Sequence, residues 1–503
     1  MKLVLNGHDE RYVVEQSLMN LFPGELPVYE PILPGDESWA VITLRESESG
    51  CRITVELRHG GKTAAQSGRA ALSGTEFERE GQRRHAIARC FFLAARAVTG
   101  ATPPWGMLTG VRPDKPVTWA LAEGKTPQQA QAMLEEDYFV TPERAALAVE
   151  TGSTALTASR KLGPGDIAVY VGIPFCPTRC AYCSFVSQSV ERSFALVPPY
   201  VDALVEEIRS GGKMVREQGL RCRAFYMGGG TPTTLTAEQM DRVLTAFEES
   251  FDLSACEEIT VEAGRPDTIS AEKLAVLKAH GVTRVSVNPQ TMEDHVLRAI
   301  GRRHTAGDIE SAMELVAKYG FPHVNMDLIA GLPEDTPEGF RRSLDRCLSF
   351  GTDNVTVHTL ALKKGSRILL EGLSIPGPGA VAEMLDYAAP ALRAAGYGPY
   401  YLYRQKYMSG SFENIGWCRP GAECWYNVYI MSELCSILSF GAGGSTKMVE
   451  PGTNHIERVF NLKYPKEYTE RPEKGLANQA AFAAFYEHMK GAVTDGILSE
   501  KDQ

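Results

Sequence analysis

Three cysteines, Cys176, Cys180 and Cys183, stand at the spacing Cys-x3-Cys-x2-Cys, directly after the apolar run Tyr170-Val-Gly-Ile-Pro-Phe. Thiolates this close together, on a loop past a strand, can close around one metal or an iron–sulfur cluster. A tetrahedral structural zinc wants four ligands, and no neighbouring His or Cys supplies the fourth. A 4Fe-4S cluster held by three thiolates leaves one iron open to a substrate or cofactor. A zinc knuckle completed by a distant ligand and a set of buried, unligated thiols are the alternatives. A thioredoxin-like pair fits less well, because that motif opens a helix within its own compact fold.

Further polar groups recur downstream. Met227-Gly228-Gly229-Gly230-Thr231-Pro232 places consecutive glycines where a ligand can approach the backbone. It lacks the terminal Lys-Ser/Thr of a phosphate loop, which argues against a triphosphate site. Glu262 precedes Ala-Gly-Arg-Pro, and a carboxylate there can hold an ammonium group. Arg284-Val-Ser-Val-Asn288-Pro289-Gln290 and Asn325-Met-Asp327-Leu-Ile-Ala-Gly-Leu-Pro follow. Each alone reads as capping or turn chemistry. Their placement after successive predicted strands makes a shared ligand the better account.

The elements that must position these groups are strands predicted at 167–173, 224–227, 258–262, 284–287, 324–328 and 354–358. Helices are expected between them at about 199–217, 237–250, 271–280, 306–319 and 337–350. Such alternation predicts an α/β fold with a parallel sheet, open or curled into a partial barrel, with its site at the carboxyl ends of the strands. Residues 1–160 read as a separate α+β module of unknown role. Strands are expected there at 2–5, 39–44 and 51–57, with helices at 76–98, 116–123, 126–138 and 141–156. Residues 161–360 carry the alternating pattern, and 361–503 form a C-terminal region where the alternation stops. The x5 and x10 spacings of Cys418, Cys424 and Cys435 read as buried or structural thiols rather than an auxiliary cluster. His304 reads as a polar cap.

A chain of 503 residues with 52 basic and 62 acidic side chains has a formal net charge of −10. That argues against a broad phosphate-binding surface and a nucleic-acid partner, while a local basic groove stays possible. No apolar run approaches the length of a membrane span, and the N-terminus lacks a signal-peptide core. Eleven cysteines, an odd and scattered number, suit a reducing cytoplasm.

The cysteine spacing, with an aromatic before the third Cys, and the Gly-Gly-Gly-Thr-Pro run resemble radical S-adenosyl-L-methionine (SAM) enzymes. With Arg-Val-Ser-Val-Asn-Pro-Gln, Ile-Gly-Arg-Arg-His and Met-Asp-Leu-Ile-Ala-Gly-Leu-Pro, the string resembles the oxygen-independent coproporphyrinogen III oxidase family, most closely its HemZ-type branch. The resemblance implies a partial (β/α)6 TIM-like barrel, an N-terminal α+β module and a C-terminal α+β extension over the substrate site. It implies that Cys176, Cys180 and Cys183 ligate three irons and that the fourth iron chelates SAM. It further implies that Tyr170 and Tyr182 pack by the cluster and adenine. Gly228, Gly229, Gly230 and Glu262 would receive the SAM amino group, Arg302 its carboxylate, and Gln290 and Asp327 its ribose, with Thr231 a further cofactor-binding residue. Arg303 is the less favoured partner of that carboxylate.

The activity so implied is oxidative decarboxylation of coproporphyrinogen III to protoporphyrinogen IX by a 5′-deoxyadenosyl radical, with a flavodoxin or ferredoxin as reductant. The sequence departs from the family pattern at Gly172, where the best-known members have His, and at Asn288-Pro289. It also has Ser184-Phe185 where an additional cysteine is usual. A second reading is the haem-chaperone branch of the same fold, which resembles His-Asn-x-x-Tyr-Trp; here Glu413-Asn-Ile-Gly-Trp-Cys418 lacks the histidine. A third is a radical SAM enzyme that modifies or degrades haem.

Overall fold

The computed structural model describes residues 1–183, 188–363, 365–405, 412–453 and 455–494. Ser184 and Phe185 lie outside them. The chain divides into two compact units, Met1–Val149 and Glu150–Gln503.

The first unit is a four-stranded sheet in the order β1-β2-β3-β4, with β1 Lys2–Asn6, β2 Trp39–Ser47, β3 Gly50–His59 and β4 Lys62–Ala71. Alternation along β2 and β3 turns Ile42, Leu44, Ile53, Val55 and Leu57 to one face. There they pack with helices α1 (Arg11–Leu21) and α2 (Glu76–Thr99) in one apolar core. Thr75 and Glu78 form a reciprocal capping box at the start of α2, and Gly100 ends it in the left-handed region at φ 71°. Helices α3 (Lys115–Ala122), α4 (Pro127–Asp137) and α5 (Pro142–Ser159) follow, the last running across the division between the units. The helix α1 and strand β4 are additions to the elements expected from sequence.

The second unit is an eleven-stranded sheet. Its centre is six parallel strands: β5 Asp166–Ile173, β8 Arg221–Gly229, β9 Glu258–Gly264, β10 Arg284–Val287, β11 His323–Ala330 and β12 Asn354–Thr359. Between β5 and β8 lie the short pair β6 (Phe175–Cys176) and β7 (Gln188–Ser189). Each central strand pairs with its neighbour in sequence. Long helices connect the strands, including α7 (Val197–Glu217), α8 (Ala237–Ser250), α11 (Ala306–Tyr319) and α12 (Pro337–Ser349), with the short α6 (Val190–Ser193), α9 (Ala271–Ala279) and α10 (Asp294–Ala299) between them. A strand covered on both faces reads as a continuous apolar run, as in Ile167–Ile173 of β5, whereas the fully buried β10 also carries Arg284 and Ser286.

The barrel does not close, because the chain after β12 occupies both edges. Strands β13 (Gly398–Tyr403) and β14 (Asn414–Cys418) extend the β12 side, β14 pairing with β12 antiparallel. Strands β15 (Ser436–Phe440), β16 (Ser445–Val449) and β17 (Ile456–Phe460) extend the other side, β15 lying parallel to β5. Helices α13 (Arg367–Glu371), α14 (Pro378–Ala394), α15 (Trp425–Ser432), α16 (Pro465–Glu470) and α17 (Glu473–Thr494) complete the unit. This is the partial barrel expected from sequence, with its C-terminal strands built into the same sheet. Among the described residues no helix is long and apolar enough to cross a membrane.

A buried carboxylate ties the C-terminal segment to the barrel. Glu258, 3% exposed at the start of β9, accepts the backbone N–H of Trp425 at 2.9 Å and of Tyr426 at 3.2 Å, at the N-terminus of α15. The Cys424 thiol donates to it at 3.2 Å, and Arg284 lies 3.6 Å away. Cys418, Cys424 and Cys435 are all buried. Removing one member of a buried ion pair typically costs about 3–5 kcal/mol. Glu258→Ala is therefore expected to destabilise the second unit by about 3 kcal/mol, read as a lower urea midpoint of its unfolding transition. An unchanged midpoint would show that this carboxylate does not hold α15.

Candidate active site

The carboxyl ends of the central strands surround a cavity of about 320 Å³, at the lower end of the range for small-molecule sites. Its wall includes Cys176, Cys180, Tyr182 and Cys183 from the loop after β5, and Gly229, Gly230 and Thr231 at the end of β8. Glu262, Gln290, Arg302 and Asp327 join them from later strand ends and loops. Two of the residues singled out from sequence lie off this wall. Tyr170 stacks on Tyr226 and Tyr426 at centroid distances of 6.3 and 6.2 Å, and Gly228 backs onto Glu262.

The cysteine loop is clamped from several sides. Gly230 N–H donates to the Ile173 carbonyl at 2.7 Å and Thr231 N–H to the Phe175 carbonyl at 2.8 Å. A side chain at Gly230 would put its Cβ 2.5 Å from the Phe175 oxygen, so only glycine permits this approach. Thr231 Oγ1 lies 3.5 Å from Cys176 Sγ. Ala181 N–H donates to the Ile300 carbonyl at 2.9 Å, and Thr178 Oγ1 to the Gly301 carbonyl at 3.0 Å. Buried Arg265 reaches Thr178 Oγ1 at 2.7 Å while paired to Asp267 at 3.0 Å. His304 lies 3.6 Å from the same Asp267 carboxylate, and the cap of α11 is Thr305, so the expected capping role of His304 is corrected.

Arg302 is buried; its Nη1 donates to the carbonyls of Asn288 and Pro289, and its Nη2 to Tyr182 at 3.3 Å. Its Nε has no hydrogen-bond partner among the described residues. Burial opposes the guanidinium charge, yet Tyr182 and Cys180 beside it hold its pKa above the usual value. Gln290 sits in the left-handed region at φ 69°, held by its N–H donating to Asp327 O at 2.8 Å and its carbonyl accepting from Ile329 at 3.0 Å. Such backbone persists in a non-glycine residue only where surrounding contacts impose it.

Two carboxylates share this wall with opposed electrostatics. Burial pushes Glu262 up to about 7; the hydrogen bond from Tyr226, 2.5 Å long, works against this, and the Asp327 charge adds to it. Burial also acts on Asp327, but His358, 3.9 Å away, and the hydrogen bond from Asn325 at 2.8 Å hold it below its ordinary value. The site thus holds one carboxyl that titrates near neutrality beside one that stays ionised.

Part of the lining was not legible as such in the sequence: His358, Lys363, Tyr403, Gln405 and Asn414 come from β12, the loop after it, β13 with the residues that follow it, and β14. His358 near the end of β12 follows the same strand-end rule that picked out Glu262 and Asp327. Asn414 accepts the Thr359 N–H at 2.9 Å. Glu413 is buried, and Arg404, whose pKa burial lowers to about 10, feels its charge.

Among the described residues no three His, Cys, Asp or Glu side chains converge on one metal ion. Three thiols spread around one cavity suit a polynuclear cluster, in which each thiolate holds its own iron, better than a single zinc. The glycine edge, the carboxylates and the orphaned Arg302 Nε suit a cofactor bearing an ammonium and a carboxylate.

Comparison with known proteins gives the same picture. Residues 170–347 match the radical SAM superfamily, whose members carry a 4Fe-4S cluster and SAM. The chain is 37% identical to the oxygen-independent coproporphyrinogen-III oxidase-like protein HemZ of Bacillus subtilis, over 94% of this chain and 96% of that protein. It is 30% identical to the heme chaperone HemW of Mycobacterium tuberculosis, over 61% of this chain and 75% of that one. The fold is similar to coproporphyrinogen III oxidase (HemN) from Escherichia coli, with TM-score 0.50 and 24% identity over 63% of this chain and 72% of that one.

The clamp at Gly230 generates a direct expectation. Overpacking typically costs about 1–3 kcal/mol, and here the strain falls on the segment leading into Cys176. Gly230→Ala should keep its circular dichroism but bind at most half the iron of the wild type after anaerobic reconstitution. Full iron loading in that variant would show the clamp to be dispensable.

Proposed function

This chain belongs to the HemZ family of oxygen-independent coproporphyrinogen-III oxidase-like proteins, and on that premise we propose that it oxidatively decarboxylates coproporphyrinogen III to protoporphyrinogen IX. The observation that carries the reading is the single cavity onto which the cysteine loop and the polar strand ends open. Cys176, Cys180 and Cys183 would hold three irons of a 4Fe-4S cluster. Glu262 and the backbone of Gly228, Gly229 and Gly230 would take the SAM ammonium, with Thr231 fixing the loop edge. Arg302 would pair with the carboxylate, and Gln290 and Asp327 with the ribose. Tyr182 would pack beside the cofactor, and Tyr170 would support it from beneath.

Held by these residues, a 4Fe-4S cluster with SAM and an electron from a flavodoxin or ferredoxin would supply 5′-deoxyadenosyl radical chemistry at a propionate β-carbon, with loss of carbon dioxide and transfer of one electron to an acceptor leaving a vinyl group. The protein's share is to orient, neutralise and exclude water and oxygen. Lys363, Gln405 and Asn414, which line the same cavity, offer donors to the carboxylates of a tetrapyrrole. The region beyond residue 360 would act as the substrate-covering part of the fold, and residues 1–160 as a separate module.

A heme chaperone is the second reading, favoured by the likeness to HemW. At the position of the histidine resembled in that branch stands Glu413, a buried carboxylate near Arg404 rather than an imidazole for iron. Haem modification is the third. Anaerobic protein given dithionite, SAM and coproporphyrinogen III separates them. Loss of two carbon dioxide equivalents with 5′-deoxyadenosine, abolished in Cys180→Ser, is expected. SAM cleavage with untouched porphyrinogen would overturn the substrate; tight haem binding without SAM cleavage would favour the chaperone.

Glu262 gives a pH signature. A carboxyl near 7 in the free site must be ionised to receive an ammonium, so the contact is complete above that pH and lost as pH falls through it. SAM affinity is expected to fall about tenfold per pH unit below 7 and to level off above it. Glu262→Gln should bind more weakly with a flat profile, as measured by equilibrium dialysis; a flat wild-type profile would remove Glu262 from this role.

A further inference from the structure

The four-stranded sheet of the first unit has helices α1 and α2 on one face; its other face carries an ordered array of polar side chains. Arg45 on β2 stands directly opposite Arg52 on β3, which stands opposite Arg69 on β4. All three are exposed. Adjacent strands lie about 4.8 Å apart, so three guanidinium-bearing positions fall within about 10 Å. Like charges directly opposite one another destabilise a sheet. None of the three has an ion-pair or hydrogen-bond partner among the described residues. Glu46, the nearest acid in sequence, projects to the helix side, where it pairs with Arg79 and Arg83 of α2. The acidic side chain on the open face within these strands is Glu56, two rows away.

The adjoining row carries Asn6, Thr43, Thr54 and Ser67 in register, a line of amide and hydroxyl donors. Trp39, half-buried on the same face, offers an indole ring opposite Arg58. Guanidinium forks and hydroxyls in adjacent rows are the groups that hold phosphodiesters, and an aromatic on a sheet face provides a stacking platform for a base. A run of carboxylates would answer the arginines but would leave the ring and the hydroxyl row without a role.

We propose that the open face of this sheet, through Arg45, Arg52 and Arg69 with the flanking hydroxyl row, binds single-stranded nucleic acid. The net charge of −10 confines such binding to this local face. The proposal is independent of the radical chemistry.

The test uses the full chain and fluorescein-labelled dodecauridylate, followed by anisotropy between 50 and 200 mM salt. Each phosphate neutralised on a single strand contributes about −0.7 to the slope of log K against log salt. Three contacts predict a slope near −2. The variant R45Q/R52Q/R69Q should bind at least tenfold more weakly with a slope near zero, and should melt no lower than wild type, since the repulsion is gone. A 4-thiouridine oligonucleotide crosslinked to the unaltered protein should label peptides of residues 39–71. Absence of binding at 50 mM salt, binding unaffected by the triple substitution, or crosslinks confined to other peptides would overturn the proposal. So would binding of poly-L-glutamate by this face in place of the oligonucleotide.

Discussion

Two backbone hydrogen bonds, from Gly230 to Ile173 and from Thr231 to Phe175, fix the relation between the cysteine loop and the strand ends around it. They extend the parallel ladder of β5 and β8, in which Gly172 and Ile173 lie opposite Gly228 and Gly229, past the point where the strands would otherwise splay. The bonds require backbone to touch backbone, and a Cβ at Gly230 would occupy the space they need. Cys176 follows Phe175 directly, so this contact sets where the first thiol stands. The rest of the loop is then held by Arg265, after β9, and by the adjacent Ile300 and Gly301, after α10.

From that edge the electrostatics follow the order of the strands. Glu262 on β9 and Asp327 on β11 share the cavity wall, and their surroundings separate them. Tyr226, below Glu262, belongs to a stack with Tyr170 and Tyr426 that keeps water from one side of the carboxyl. His358 and Asn325 give Asp327 the partners that Glu262 lacks. A cationic ligand would relieve the first group, and hydroxyl donors would suit the second, which is the division of labour proposed for SAM.

The local signals were legible in the sequence, and the non-local ones were not. The spacing of Cys176, Cys180 and Cys183, the glycine run and the six apolar strands are each written within a few residues, and the strand-end rule joins them. Strand β4 was missed because Lys-Thr-Ala-Ala-Gln-Ser-Gly-Arg-Ala-Ala has little β-propensity; its signal was the Gly60-Gly61 pair, both at positive φ, that turns β3 back on itself. Helix α1 begins at Arg11 behind an N-cap, Glu10, whose side chain makes no capping hydrogen bond, so it carries no start signal. The placing of β14 beside β12 and β15 beside β5 depends on pairings across long stretches of chain, which composition does not encode. For the same reason Lys363, Gln405 and Asn414 gave no sign that they share a cavity with the cysteines.

The central claim, that three thiols and the strand-end polar groups make one cofactor site, is tested most directly by electron paramagnetic resonance of the anaerobically reconstituted, dithionite-reduced protein with and without SAM. A single 4Fe-4S signal whose g-values shift when SAM is added is the expected result, with the shift lost at Arg302→Gln while the cluster is retained. A cluster signal indifferent to SAM, or a protein that takes up one zinc and no iron, would contradict it.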